Sequence, residues 1–352
     1  MLECILSSVQ LSCQHFFYKF QQQLTETVQR YHLRRMNDII SRITATLIRA
    51  VPPGKGASMR ISDILSSSAV TLSFEVFPPK TSDSFDSVLE SAKNIAALRP
   101  DFMSVTYGAG GGTSKFTAEI AADIQNTYNV PMLAHLTCVS STKETVLSTV
   151  RAYAEHGIEN IMALRGDIPA DGKIEKDYEH AYQLIEDIKS CGDFCIGGAC
   201  YPEGHIECVH KSDDIKYLKQ KVDAGCNFLT TQMFFDNNIF YNFLYRAREA
   251  GINVPILPGI MPITKARQLK RSIAMSGTNV PERFYAIVDR FGEDPAAMKQ
   301  AGIIYASEQI IDLIANGITH IHVYSMNYPD VAMGIMKNLD HILTGRKDYL
   351  SL

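Results

Sequence analysis

The stretch Thr71-Leu72-Ser73-Phe74-Glu75-Val76-Phe77-Pro78-Pro79-Lys80 reads as a short buried β-strand that runs out into a loop. Its apolar run is too short for a helix, and the paired prolines stop a hydrogen-bonded ladder beyond Phe77. An amphipathic segment follows, and the same rhythm then repeats along the chain. Short apolar runs fall at 71–77, 102–106, 132–137, 160–164, 195–201, 228–232, 254–258 and 320–325. The longer segments between them open on helix caps such as Ser141-Thr142-Lys143-Glu144 and Ser212-Asp213-Asp214. Several close on a glycine just ahead of the next strand, as at Gly157, Gly225, Gly251 and Gly317.

Strands that are apolar almost throughout are covered on both faces, as in a parallel sheet. Eight of them, alternating with helices, predict an α/β chain folded as a closed (β/α)8 TIM barrel, with an open doubly wound sheet as the alternative. Between 276 and 300 the pattern loosens around Pro281, Gly292 and Pro295, which reads as an insertion before a last barrel helix at 301–316. The organisation expected is one barrel domain, 59–345, behind an N-terminal extension, 1–58.

That extension carries seven Lys or Arg against three Asp or Glu, whereas the remainder carries 27 against 35. It ends on the breaker run Val51-Pro52-Pro53-Gly54-Lys55-Gly56. A basic, acid-poor leader, a helical extension and a misassigned start with Met59 as the true first residue all fit.

Composition narrows the function. A formal net charge of −4 gives no general attraction to nucleic acid or an acidic membrane. No stretch approaches the roughly 20 apolar residues that span a bilayer. The eight cysteines, at 4, 13, 138, 191, 195, 200, 208 and 226, include no CxxC pair, so neither a zinc site nor a disulfide framework is expected. Reduced thiols in a cytoplasmic enzyme are the simpler reading.

In such barrels the chemistry gathers where strands meet the βα loops. Those positions hold Glu75, Thr106 with Tyr107, His135, Arg165 with Asp167, Tyr201 with His205, Gln232, Pro258 and Tyr324. A ring of polar strand ends above apolar strands points to a polar ligand across the whole mouth. Glu75 faces the barrel axis, where burial raises a carboxyl pKa and makes it a general acid; a salt bridge to an inward base is the plain alternative. Arg165-Gly166-Asp167 pairs a cation and an anion around a flexible residue. Gly108-Ala109-Gly110-Gly111-Gly112-Thr113-Ser114 lacks the Lys of a P-loop and reads as a close-approach loop over the site. His320 and His322 share one strand face and read as packed histidines, and no metal site is expected.

Together these residues resemble the methylenetetrahydrofolate reductase family. The matching blocks are Phe74-Glu75-Val76-Phe77-Pro78-Pro79-Lys80, Ser104-Val105-Thr106-Tyr107-Gly108-Ala109, His135-Leu136-Thr137-Cys138 and Ala163-Leu164-Arg165-Gly166-Asp167. They continue through Tyr201-Pro202-Glu203-Gly204-His205, Lys221-Val222-Asp223-Ala224-Gly225, Thr231-Gln232-Met233-Phe234-Phe235-Asp236 and Pro258-Gly259-Ile260-Met261-Pro262. The resemblance implies a barrel holding FAD, reduced by NADH or NADPH and reoxidised by 5,10-methylenetetrahydrofolate in ping-pong order. By position it implies that Glu75 protonates folate N10 and that Asp167 steers the charge of the flavin and the iminium. It places Gln232, Tyr324 and Gln268 against substrate. Thr106, His135, Leu164, Arg165, Gly166, Asp167, Tyr178, Ala199, Tyr201, His205, Asp214 and Lys221 fall where the family contacts FAD. A homo-oligomer is expected, acting in one-carbon metabolism and methionine biosynthesis. Only the catalytic barrel is matched, as in bacterial members, so control by S-adenosylmethionine is not expected.

The chain departs from the bacterial pattern at the donor side. Ser272 stands where an aromatic stacks on the nicotinamide dinucleotide, and Tyr328 stands where an arginine follows the last strand. Tyr217 and Gln220 replace polar and basic residues on the FAD side. The donor is therefore open among NADH, NADPH and a protein such as a ferredoxin. The rivals are a barrel lyase or aldolase and a non-catalytic barrel subunit.

Overall fold

The computed structural model describes residues 60–344 except 68, 108–113, 140, 169–176 and 209. The extension 1–58 and the glycine-rich loop after Tyr107 therefore lie outside the described residues. The chain opens on helix α1 (Ile61–Leu65) and enters β1 (Thr71–Val76). It then alternates through α2 (Phe85–Ala96), β2 (Phe102–Val105), α3 (Ser114–Tyr128), β3 (Met132–Thr137), α4 (Lys143–Glu155) and β4 (Asn160–Leu164). The second half runs α5 (Ala181–Cys191), β5 (Cys195–Cys200), α6 (Lys211–Asp223), β6 (Phe228–Thr231), α7 (Asn237–Glu249), β7 (Ile256–Leu257) and β8 (Gly259–Ile260). It finishes with α8 (Ala266–Ser276), α9 (Glu282–Phe291), α10 (Pro295–Ala315), β9 (His320–Tyr324), α11 (Pro329–Asn338) and α12 (Asp340–Thr344).

All pairings are parallel, in the order β7-β6-β5-β4-β3-β2-β1-β9-β8. The two ends of this order are neighbours in sequence, separated by Pro258 alone. β7 and β8 are one strand broken at a proline: its first half pairs with β6 and its second with β9. Proline has no N–H to give the ladder, so the break falls where it must. The carbonyl of Pro258 accepts from the N–H of His322 at 3.0 Å, and the N–H of Gly259 donates to Thr231 Oγ1 at 2.8 Å. A Cβ on Gly259 would lie 2.4 Å from the carbonyl oxygen of Thr231, so only glycine permits this closure. The eight expected strands thus form a (β/α)8 barrel, with the seventh kinked as it seals the cylinder.

Side chains alternate in and out along each strand. Phe74 and Val76 point outward into the layer beneath Ala92 and Ile95 of α2, so Ser73 and Glu75 point to the axis. At the barrel's lower end Ile61 and Leu65 of α1 pack on Phe102, Leu133, Met162, Cys195, Phe228 and Leu257. Buried Asn160 fixes that floor, accepting from the N–H of Ile61 at 2.8 Å and donating to the carbonyl of Met132 at 3.1 Å.

The expected loosening at 276–300 is corrected. Pro281 and Gly292 delimit helix α9, whose Phe284 is buried with its ring 4.1 Å from Tyr305. The last long helix begins at Pro295 rather than at 301. Asp294 Oδ1 accepts the N–H groups of Ala296 and Ala297, and proline at a first helical position starts a helix instead of breaking it.

Candidate active site

Strand register assembles the first cluster. Glu75 pairs in register with Ser104 of β2 on one side and Tyr324 of β9 on the other, and Ser73 pairs with His322. All are inward, so a carboxylate meets hydroxyls and imidazoles at one level of the cylinder. Ser104 Oγ donates to Glu75 Oε2 at 3.2 Å. His135 Nε2 lies 3.4 Å and His322 Nε2 3.7 Å from the same oxygen. The His135 contact has ion-pair distance without hydrogen-bond geometry, leaving that buried nitrogen without a hydrogen-bond partner. His322 is anchored from behind, its Nδ1 2.8 Å from Ser73 Oγ.

These neighbours correct the expectation that burial alone sets the Glu75 proton. Burial does push the carboxyl up, but the approach of His322, the charges of His135 and His322 and the Ser104 hydroxyl together hold it below its usual value. Burial in turn holds His135 below the ordinary imidazole value, against the pull of Glu75. Three polar partners thus surround Glu75 and favour its ionised form.

Tyr324 closes the rim beside it, donating to the carbonyl of Thr231 at 2.5 Å. Burial, then the nearby Glu75, push its phenol far above the usual value, so it stays a donor. The next residue on β6, Gln232, donates its N–H to the carbonyl of Cys200 at 2.7 Å and accepts from the N–H of Met233 through Oε1 at 2.9 Å. Gln268 is half-buried on α8, and its Oε1 accepts from the N–H of Thr264 at 3.0 Å.

A second cluster gathers the cations. Arg165 holds Glu207 in a bidentate pair at 2.7 and 2.9 Å. Lys221 reaches back from α6 to donate to the carbonyl of Ala199 at 2.7 Å, with its Nζ 6.0 Å from the Tyr201 ring centre. Burial lowers the Lys221 pKa and raises that of Asp214. The Tyr201 ring sits edge-on to His205 at 4.6 Å. Burial and then Asp214 and Asp167 push the Tyr201 phenol up to about 12, so both carboxylates act on this ring. Asp167 is exposed, and Gly166 before it has φ +88°, where a side chain would be strained and its Cβ would lie 3.0 Å from that of Thr137. Thr106 and Leu164 lie half-buried at their strand ends, where Thr106 accepts from Thr117 Oγ1 at 3.0 Å and Leu164 from the N–H of Cys138 at 3.2 Å. Tyr178 stands apart: its ring is buried and its hydroxyl donates to Asp187 at 2.8 Å.

Residues 60–340 match the family model described as methylenetetrahydrofolate reductase. The chain belongs to the methylenetetrahydrofolate reductase family. It is 35% identical over 271 residues to the 5,10-methylenetetrahydrofolate reductase of Escherichia coli K12, covering 77% of this chain and 90% of that one. It is also 35% identical over 295 residues to methylenetetrahydrofolate reductase (NADH) 1 of Arabidopsis thaliana, covering 80% of this chain and 50% of the relative. The chain spans half the length of that plant enzyme. A solved structure of an uncharacterized Clostridium thermocellum protein that binds two copies of 5-methyl-5,6,7,8-tetrahydrofolic acid shares the fold, with a TM-score of 0.51 at 16% identity. It covers 80% of this chain and 98% of the other.

Arg165 and the half-buried Lys221 could hold an anionic group, and His135 Nε2 has no hydrogen-bond partner among the described residues. Among the described residues no group of three or more His, Cys, Asp or Glu is placed to hold a metal ion. Ser104 and His322 escaped the sequence reading as site residues. The alternation of Ser73 with Glu75 was visible, but which neighbour faces them depends on cross-strand register.

Proposed function

We propose that this chain reduces 5,10-methylenetetrahydrofolate to 5-methyltetrahydrofolate with FAD that NADH or NADPH reduces in turn. The observation that carries this reading is the gathering of Ser104, His135 and His322 around the Glu75 carboxylate in a barrel of this family. Bound there, FAD supplies hydride chemistry, accepting from the donor and giving to the one-carbon unit. Arg165, Lys221, Thr106, His135, Leu164, Gly166, Ala199, Tyr201, His205 and Asp214 would hold it; Tyr178 would act through packing, its hydroxyl being taken.

Glu75 would take up a proton from solvent as folate covers the site and excludes water, and would pass it to N10 so that the five-membered ring opens. Ser104 orients the carboxylate, and His322, braced by Ser73, can return the proton afterwards. Asp167, exposed after β4, would stabilise a cationic iminium by its charge. Gln232, Gln268 and Tyr324 would position the pterin. The relatives' names favour NADH as donor. Among the described residues the cysteines are free and no helix is long and apolar enough to cross a membrane, and we place the enzyme in the cytoplasm.

Colour tests the proposal. The purified chain should be yellow, bleach anaerobically with NADH or NADPH, and recolour on adding methylenetetrahydrofolate. A colourless protein, or a bleached one that folate leaves reduced, would return weight to a lyase or a non-catalytic barrel.

A further inference from the structure

The first and last strands are joined beyond the end of their backbone ladder, and side chains make the join. The register of β1 with β9 runs out where Glu75 meets Tyr324. β1 leads on through Phe77 into Pro78 and Pro79, while the chain after β9 must turn into α11 at Pro329. Two side chains continue the pairing across this gap. Ser325 Oγ donates to the carbonyl of Glu75 at 2.6 Å. Asn327 Oδ1 accepts the N–H of Phe77 at 2.9 Å, and its Nδ2 donates to the carbonyl of the same residue at 2.9 Å. The amide thus stands in for the strand residue that the turn removes. A carboxylate of the same shape would set an oxygen against the Phe77 carbonyl, so only an amide makes both bonds.

Presenting that amide strains the backbone. Met326 and Asn327 adopt left-handed φ angles of +55° and +57°, and two such residues in succession occur nowhere else among the described residues. Asparagine tolerates this conformation, whereas methionine has no polar side chain to offset it. Strain of this kind persists only where surrounding contacts over-determine it, and it gathers at functional sites. The contacts here are the two bonds to Phe77, whose ring is left 39% exposed and so offers little packing to hold the exit of β1. Glu75 lies two residues upstream. Its Oε2 meets Ser104 Oγ at 3.2 Å and the nitrogens of His135 and His322 at 3.4 and 3.7 Å, distances that a looser strand exit would not keep.

We infer that Asn327 is a positioning residue for Glu75: its amide clips the exit of β1 to the turn after β9 and so fixes where the carboxylate meets the folate. The inference rests on the reading of Glu75 as the acid. It goes beyond that reading by giving a part in folate reduction to a residue that acts through the backbone of β1.

Two variants of the full chain separate the clip from its surroundings. Asn327→Gly keeps the left-handed turn without strain and loses the amide. Asn327→Asp keeps the size of the side chain and turns its donor into an acceptor. In the flavin-free protein, hydrogen exchange at the Phe77 amide should quicken by about fivefold in Asn327→Gly, the equivalent of one ordinary hydrogen bond. In single-turnover stopped flow both variants should slow reoxidation by folate severalfold, up to about 100-fold, the cost of an ångström's misplacement of a reacting group. Reduction by NADH should stay within about twofold, which a merely structural residue would not spare. Folate rates at the wild-type value in either variant overturn the inference, as does equal slowing of both half-reactions or unchanged exchange at Phe77 in Asn327→Gly. Should Asn327→Gly fail to fold, the half-reactions of Asn327→Asp decide alone. A wild-type chain with no folate half-reaction contradicts the proposed function itself, and is told apart because it fails before any variant is compared.

Discussion

The Glu75 carboxylate is the smallest unit of the proposed chemistry, and its neighbours hold its pKa below the usual value. His322 touches the carboxylate on one side and Ser73 on the other, so it can return a proton without meeting the flavin donor. His322→Asn should slow reoxidation by folate by about 100-fold, the lower end of the range for acid–base partners, and leave reduction by NADH within about twofold. Single-turnover stopped flow separates the two; equal slowing of both would show a merely structural histidine. Asp167 is exposed on its turn, and its charge should resist the anionic reduced flavin. Asp167→Asn should retain FAD and shift the flavin potential positive in a dye-coupled titration, whereas an unchanged potential would remove its electrostatic role. Glu75 itself was legible because a carboxylate inside an apolar strand is costly unless used. Its depressed pKa was not, because Ser104, His135 and His322 come from three other strands.

At the scale of elements, turn and strand chemistry carried the reading, and prolines misled it. Seven strands ended close to where their apolar runs end, since burial on both faces leaves a plain mark. Pro258 ended the seventh run in sequence, yet the chain resumes pairing one residue later with a different neighbour. Pro281 and Pro295 looked like breakers but stand where α9 and α10 begin. The seam between α10 and the loop after β8 is tight enough to test. A Cβ on Gly302 would lie 1.8 Å from the carbonyl oxygen of Ile263, closer than any rotamer change can relieve. Gly302→Ala should therefore cost about 3 kcal/mol in urea unfolding, at the upper end for overpacking. A cost below about 1 kcal/mol would mean that α10 shifts freely against the barrel.

Across the described residues, full burial of one imidazole and partial burial of two others make the fold sensitive to acid. Burial holds His135, His205 and His320 below the ordinary histidine value, so unfolding takes up protons as they are released to water. Their contribution is complete above about pH 6.5 and is lost as pH falls towards the folded values; Glu75, also depressed, adds a loss only below about pH 4.5. Tm should accordingly fall between pH 7.5 and 5.5, and a Tm that is flat or rises there would contradict the burial of these rings. Closure of the cylinder could be expected from a count of eight strands, while the clustering of side chains around the Glu75 carboxylate could be seen only once register was known. The proposed function depends on that clustering, and Glu75→Gln in anaerobic stopped flow tests it most directly. The variant should be bleached by NADH at close to the wild-type rate and fail to recolour with methylenetetrahydrofolate; comparable loss of both half-reactions, or folate turnover that survives, would contradict Glu75 as the acid.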